Sequence, residues 1–286
     1  TFAQAQMSSQ ETSLQASTAP GASRSRPMAF KRPEWLGTFL LQLLLLACLV
    51  LIWHVGSLVA TKNKVVVQSP ESVLNALVTL HESGLLWSNY WATVYATFLG
   101  LLISAVVGIP VGLALGVMKN VQRVVAPFLS GLNATPRIAL APVFIIVFGI
   151  SLSAKVALAV SLVFFIIALN AMAGVSAADP EAVRMMTTMG ASRRQILTKV
   201  VLPAAVPSIV VGLRLGLIYS LLGVIASELI ASSDGLGTLI ARSAGVFDLA
   251  SVYAVLILLM ITAVVFNMAC EAIERVALRW QPPTVR

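Results

Sequence analysis

Charge is what this sequence has least of. Only 10% of its 286 residues are Asp, Glu, Lys or Arg, against about a quarter in a soluble domain. A chain with so few charges does not keep a large surface in water. Cysteine is scarce too: Cys48 and Cys270 both sit inside apolar runs, with no CxxC pair, which excludes a disulfide framework and a zinc site. The two histidines, His54 and His81, stand apart from any acid or nucleophile cluster, so neither a metal centre nor a Ser/His or Cys/His pair is present. No G-x-x-x-x-G-K-[ST] stretch exists to cradle nucleotide phosphates. The net charge of +8 is not laid out as a basic stripe with interleaved aromatics, so a nucleic-acid partner is excluded.

Long apolar runs are what is present. Hydrophobic residues make up 58% of the chain, and the mean hydropathy is +0.94. A bilayer span needs about 20 apolar residues, and six stretches qualify: 36–60, 88–118, 122–150, 154–176, 204–231 and 249–275. The expectation is an all-α, multi-pass membrane protein. With the N-terminus inside, thirteen Lys and Arg fall on inner connections and four (Lys62, Lys64, Lys155 and Arg242) on outer ones. This bias sets both termini in the cytoplasm. Residues 1–35, rich in Ser, Ala, Gln and Thr, read as a disordered cytoplasmic segment. Residues 36–280 form the membrane domain and 281–286 a short tail. The first apolar run follows Lys31 and Arg32 but is long enough to stay as a span, without a good cleavage site.

The second span carries a small residue at every fourth position: Ala96, Gly100, Ser104, Gly108, Gly112 and Gly116. Such a face lets helices approach closely, within one bundle or between two copies.

One inner connection, residues 179–203, has its own design. Asp179-Pro180-Glu181 is a helix start: an N-cap, a proline at the first position and an acid in the first turn. A short helix over 182–189 is expected, broken at Gly190-Ala191-Ser192. Ser192 then caps a second short helix over 193–201, which Leu202-Pro203 ends. At these residues a resemblance appears. The stretch "MGASRRQILTKVVLPAAVPSIVVGLRLGL" resembles the coupling-loop signature of permease subunits of binding-protein-dependent ABC importers, whose Gly lies about a dozen residues before a Leu-Pro. The neighbouring "TPRIALAPVFIIVFGI" and "ASELIASSDGLGTLIARSAGVF" resemble the nitrate, sulfonate and taurine branch. The similarity spans roughly residues 65–280.

The resemblance implies a type I importer permease in a bacterial inner membrane. It implies a second permease copy, two cytoplasmic ABC ATPase subunits that bind ATP-Mg, and a periplasmic or lipid-anchored solute-binding protein. The chain itself is then neither an enzyme nor a holder of cofactor or metal. Glu181, Arg184, Gly190, Ala191, Ser192, Arg193, Leu202 and Pro203 are the residues it assigns to coupling with the ATPase. One position departs from the pattern: the Glu usual six residues before the Gly is Arg184 here, followed by Met185 and Met186 where two alanines are usual.

Three ionisable residues lie within the expected spans, where charge is expensive and usually faces a polar cavity. Arg137, between Pro136 and Pro142, sits where the third span is expected to break. Arg214 and Glu228 share the fifth span, about 21 Å apart along a helix, and do not pair with each other. All three are candidates for lining a translocation path, with Glu228 standing alone. A path with cations suits a small organic anion, sulfonate- or carboxylate-like. A neutral or zwitterionic cargo such as a vitamin or pyrimidine precursor is the alternative, with nitrate and bicarbonate lower. A Gly-rich outer turn at 232–240 is either a contact for the binding protein or a plain turn.

Overall fold

The computed structural model describes residues 34–59 and 68–279. Most of the segment expected to be disordered, and the tail over 281–286, lie outside them. All regular structure described is helical. By contacts the chain divides into two units, Thr1–Ile52 and Trp53–Arg286. The described part of the first is most of helix α1, Glu34–Val59. It is apolar on every face, as a span surrounded by lipid or protein must be.

The second unit contains α2 (Pro70–Glu82), α3 (Leu85–Val117), α4 (Lys119–Ala134), α5 (Ala141–Phe148), α6 (Leu152–Ser176), α7 (Pro180–Thr188), α8 (Arg193–Ile196), α9 (Leu202–Ile230), α10 (Leu236–Gly245) and α11 (Leu249–Ala277). Helix α6 is the centre, flanked by α3 and α9. Its Leu158, Ala159, Val163 and Ile167 have no exposed surface. The small-residue face of α3 is buried against α6 within the same chain. A Cβ placed on Gly100 would lie 2.7 Å from the Ala159 Cβ, and one on Gly116 would lie 2.6 Å from the Val175 Cβ. Lipid gives helices no hydrophobic drive to associate, so close backbone approach supplies the attraction.

Among the described residues five helices are long and apolar enough to span, or six if the bent pair Lys119–Ala134 and Arg137–Phe148 is one span. The break expected there is present, at 75°. Thr135 is extended (φ −67°, ψ 136°), as steric clash requires of a residue before proline. Pro142 does not break anything. It sits in the first turn of α5, where its missing N–H is no loss.

Two expectations fail. Leu202-Pro203 does not end a short helix: the helical path runs unbroken over Arg193–Ile230. A π turn, Leu197–Val201, precedes the proline, and the Leu202 N–H bonds to the Leu197 carbonyl. The wider turn shifts the hydrogen-bond register just before the residue that cannot donate. Second, α2 lies in what read as an outer connection. Its start, Ser69-Pro70-Glu71, is the same signal read at Asp179. The Ser69 hydroxyl accepts from Ser72 N at 3.2 Å.

Candidate functional site

The inner end is shaped by backbone chemistry. Asp179 Oδ1 accepts from Glu181 N at 2.9 Å and starts α7. Helix α7 then closes on Gly190, whose φ is +77°. Gly190 N bonds to Thr187 O and Ala191 N to Met186 O, both at 3.0 Å. This is the paired closure that places glycine in the left-handed region just past a helix end. Ser192 and Gln195 form a reciprocal cap: Ser192 N donates to Gln195 Oε1 at 2.8 Å and Gln195 N to Ser192 Oγ at 3.3 Å. The two caps fix a rigid turn between α7 and α8. Glu181, Arg184, Ser192 and Arg193 are exposed and Ala191 is half-buried. Met185 on α7 and Met189 just past its end are exposed too. The element therefore presents cations and adaptable methionines outward, with no buried residue of its own.

The outer end holds a buried polar network that no local pattern in the sequence announces. Glu228, in the last turns of α9, does not stand alone. Its carboxylate accepts from Lys155 Nζ at 3.2 Å, from Thr93 Oγ1 at 2.9 and 3.0 Å, and from Gly237 N at 2.9 Å. Lys155 does not lie on an outer connection either. It is in the first turn of α6, 3% exposed, and also donates to Asp234 Oδ1 and to Asp234 O at 2.7 Å. Asn89 and Thr93, one turn apart on α3, accept from Gly235 N at 2.7 Å and Leu236 N at 2.8 Å. Helix α10 has no cap of its own, so side chains from two spans cap it instead. Both glycines of "DGLG" are needed at close quarters: a Cβ on Gly237 would meet the Glu228 Cβ at 2.7 Å. Charge burial on this scale is tolerable only with such pairing and hydrogen bonding.

Arg137 is 6% exposed. Its guanidinium is turned onto backbone. Nε and Nη2 donate to Leu132 O at 3.1 and 2.6 Å, and Nη1 donates to Ser161 O at 2.6 Å. The group lies 4.0 Å from the centre of the Phe165 ring. It thus closes the C-terminus of α4, where a cation suits the helix dipole, and ties the break to α6. Arg214 pairs with Glu271 at 2.5 Å and Glu274 at 3.3 Å on α11, and donates to Asn267 at 3.0 Å. With Arg275 and Leu278 this cluster lines a pocket of about 600 Å³. The structure thus separates the three candidate path residues into three sites and occupies each one's charge or donors. The partners were illegible because most lie far off in sequence: Ser161 is 24 residues from Arg137, Glu274 is 60 from Arg214, and Lys155 and Thr93 are 73 and 135 from Glu228.

The family described as "Binding-protein-dependent transport system inner membrane component" matches residues 106–278. The chain is 32% identical to the formylaminopyrimidine transport permease protein of Halalkalibacterium halodurans over 57% of its own length and 65% of that protein's. It is 32% identical to the riboflavin transport system permease protein of Chloroflexus aurantiacus over 90% and 95%. It is 32% identical to the aliphatic sulfonates transport permease protein, itself named as putative, of Escherichia coli over 82% and 89%. Among solved structures, an inward-facing form of the MetNI methionine ABC transporter aligns with a TM-score of 0.61 at 25% identity, covering 68% of this chain and 97% of that one.

Proposed function

We propose a small organic anion as the cargo of this chain, which belongs to the inner membrane component family of binding-protein-dependent transport systems. The chain is the permease subunit of an ABC importer, a multi-pass inner membrane protein and not itself an enzyme. Such a subunit works with ATPase and solute-binding partners.

Likeness to the sulfonate permease over most of both chains is the observation that carries the anion reading. In our reading, two copies enclose a path, and the two ATPase subunits bind ATP-Mg beneath them. The rigid α7–α8 turn, with Gly190 at its corner, docks into the ATPase and passes its closure to α9. Because the helix is continuous from Arg193 to Ile230, a displacement at Ser192 and Arg193 is delivered along a rod, through Leu202 and Pro203, to the outer end at Glu228. This is rigid-body gating. Arg184 makes the docking face more basic than the usual pattern, so an acidic groove on the ATPase complements it.

A specific observation favours a second reading, a neutral or zwitterionic cargo. Arg137, Arg214 and Lys155 are all engaged inside the chain, and two relatives are named for riboflavin and formylaminopyrimidine transport. The test is uptake into proteoliposomes holding the chain with the ATPase and solute-binding subunits that co-purify with it. ATP-dependent accumulation of taurine or an alkanesulfonate supports the anion. Accumulation of riboflavin or formylaminopyrimidine alone replaces it with the second reading. Uptake that needs no ATPase overturns the importer mechanism.

A further inference from the structure

We propose that the Ser232–Asp234 turn is a displaceable cover on the outer face, and that Lys155 is the positioning residue that lets it open without stranding a buried charge. Exposure changes abruptly at this point: Ser233 and Asp234 are exposed, while every residue from Gly235 to Ile240 is buried. The two sides of that boundary are held differently. After it, three consecutive N–H groups are pinned by Asn89, Thr93 and Glu228. Leu236, Leu239 and Ile240 pack with Leu80, Leu86 and Val255. Before it, the turn is held by side chains, chiefly two cations: buried Lys155 and exposed Arg242. Lys155 binds the Asp234 carboxylate and carbonyl, and Arg242 binds Ser233 O at 2.8 Å.

Lys155 has two carboxylate partners of opposite character. The Glu228 side chain is 0% exposed and that of Asp234 55%. Moving Glu228 away would strip a fully buried carboxylate of its Lys155 partner, which is severely unfavourable. Freeing Asp234 moves a half-exposed carboxylate into water, where it is solvated, and leaves Lys155 still paired with Glu228. The arrangement is therefore asymmetric: α10 stays fixed while the turn above it lifts. This inference rests on the importer reading only for the use made of an outer opening.

The probe is Thr238, 4% exposed and donating to Asp234 O at 2.8 Å from beneath the turn. In the full chain carrying Cys48→Ser, Cys270→Ser and Thr238→Cys, labelling by a membrane-impermeant maleimide is measured in intact spheroplasts. Asp234→Ala should raise the rate at least threefold, and Asp234→Ala with Arg242→Ala at least tenfold. Asp234→Glu should restore the parent rate. Hydrogen exchange of the Gly235–Gly237 amides should stay as slow as in the parent throughout. Unchanged labelling in the double variant overturns the proposal. Faster labelling accompanied by faster exchange at Gly235–Gly237 also overturns it, since turn and helix would then move as one. Neither readout involves cargo or ATP, so failure of the importer reading leaves both outcomes interpretable.

Discussion

Lys155 and Glu228, 73 residues apart in the chain, meet at 3.2 Å at the outer end of the bundle with side chains only 3% and 0% exposed. Around them α3, α6, α9 and α10 converge, so one ion pair joins the elements that any outer movement must respect.

Breaking this pair from one side should destabilise strongly. Lys155→Met leaves the Glu228 carboxylate buried without its cation, at about 3–5 kcal/mol; Glu228→Gln leaves Lys155 with Asp234 and should cost less. The double variant Lys155→Met/Glu228→Gln should recover part of that loss. Thermal unfolding of the detergent-solubilised chain, followed by loss of monodisperse protein, measures it. Additive single losses in the double variant would show that the two side chains act independently.

The α3–α6 contact should be intolerant of side-chain volume. Gly116→Val pushes a branched side chain against Val175, already 2.6 Å from an added Cβ, and overpacking costs about 1–3 kcal/mol. Gly131→Ala, with nothing within 4 Å, should be neutral or slightly stabilising. The same unfolding assay compares them, with helix content by circular dichroism as a check that both fold.

Gly190 should matter to coupling more than to folding. Its surroundings are open, so Gly190→Arg meets no steric wall, but a φ of +77° penalises an ordinary side chain by about 1–2 kcal/mol. The expected outcome is a folded permease that has lost binding-protein-stimulated ATPase activity and uptake. Gly190→Asn, which tolerates this backbone region, should keep both. Normal stimulated ATPase and uptake in Gly190→Arg would remove the loop from the coupling mechanism.

Arg137 should not be replaceable by lysine. The planar fork serves two carbonyls on different elements at once, a geometry an ammonium does not reproduce. Arg137→Lys and Arg137→Ala should both leave backbone carbonyls short of donors, at about 1–3 kcal/mol. Uptake per mole of folded protein should fall little if the residue is a tie. A selective loss of anion uptake with folded protein and ATPase stimulation intact would return Arg137 to the path.

Much of the architecture was legible because the bilayer imposes it locally. Each span announces itself by length and apolarity, and the bias of basic residues orients the whole. The helix starts at Asp179 and Ser192 were readable because capping is a matter of adjacent residues. The start at Ser69 used the same signal and was passed over, for α2 lies in a stretch too short and too polar to suggest a span. Pro203 misled because a proline's usual effect presumes an α-helix before it. The preceding π turn gives the chain another register, and nothing local in "ILTKVVLP" announces it.

What the sequence by itself determined is what depends on solvent and neighbours: the membrane class, the spans, their orientation and the rigid inner turn. Tertiary structure alone decided the charges. By sequence Lys155 belongs to an outer connection and Glu228 stands alone, yet packing brings them together and leaves Asp234 half-exposed beside them. Arg137 and Arg214, which composition would assign to a path, are claimed by carbonyls and glutamates on other helices. A buried charge is stabilised by what surrounds it in space, and that set is assembled only when the helices pack.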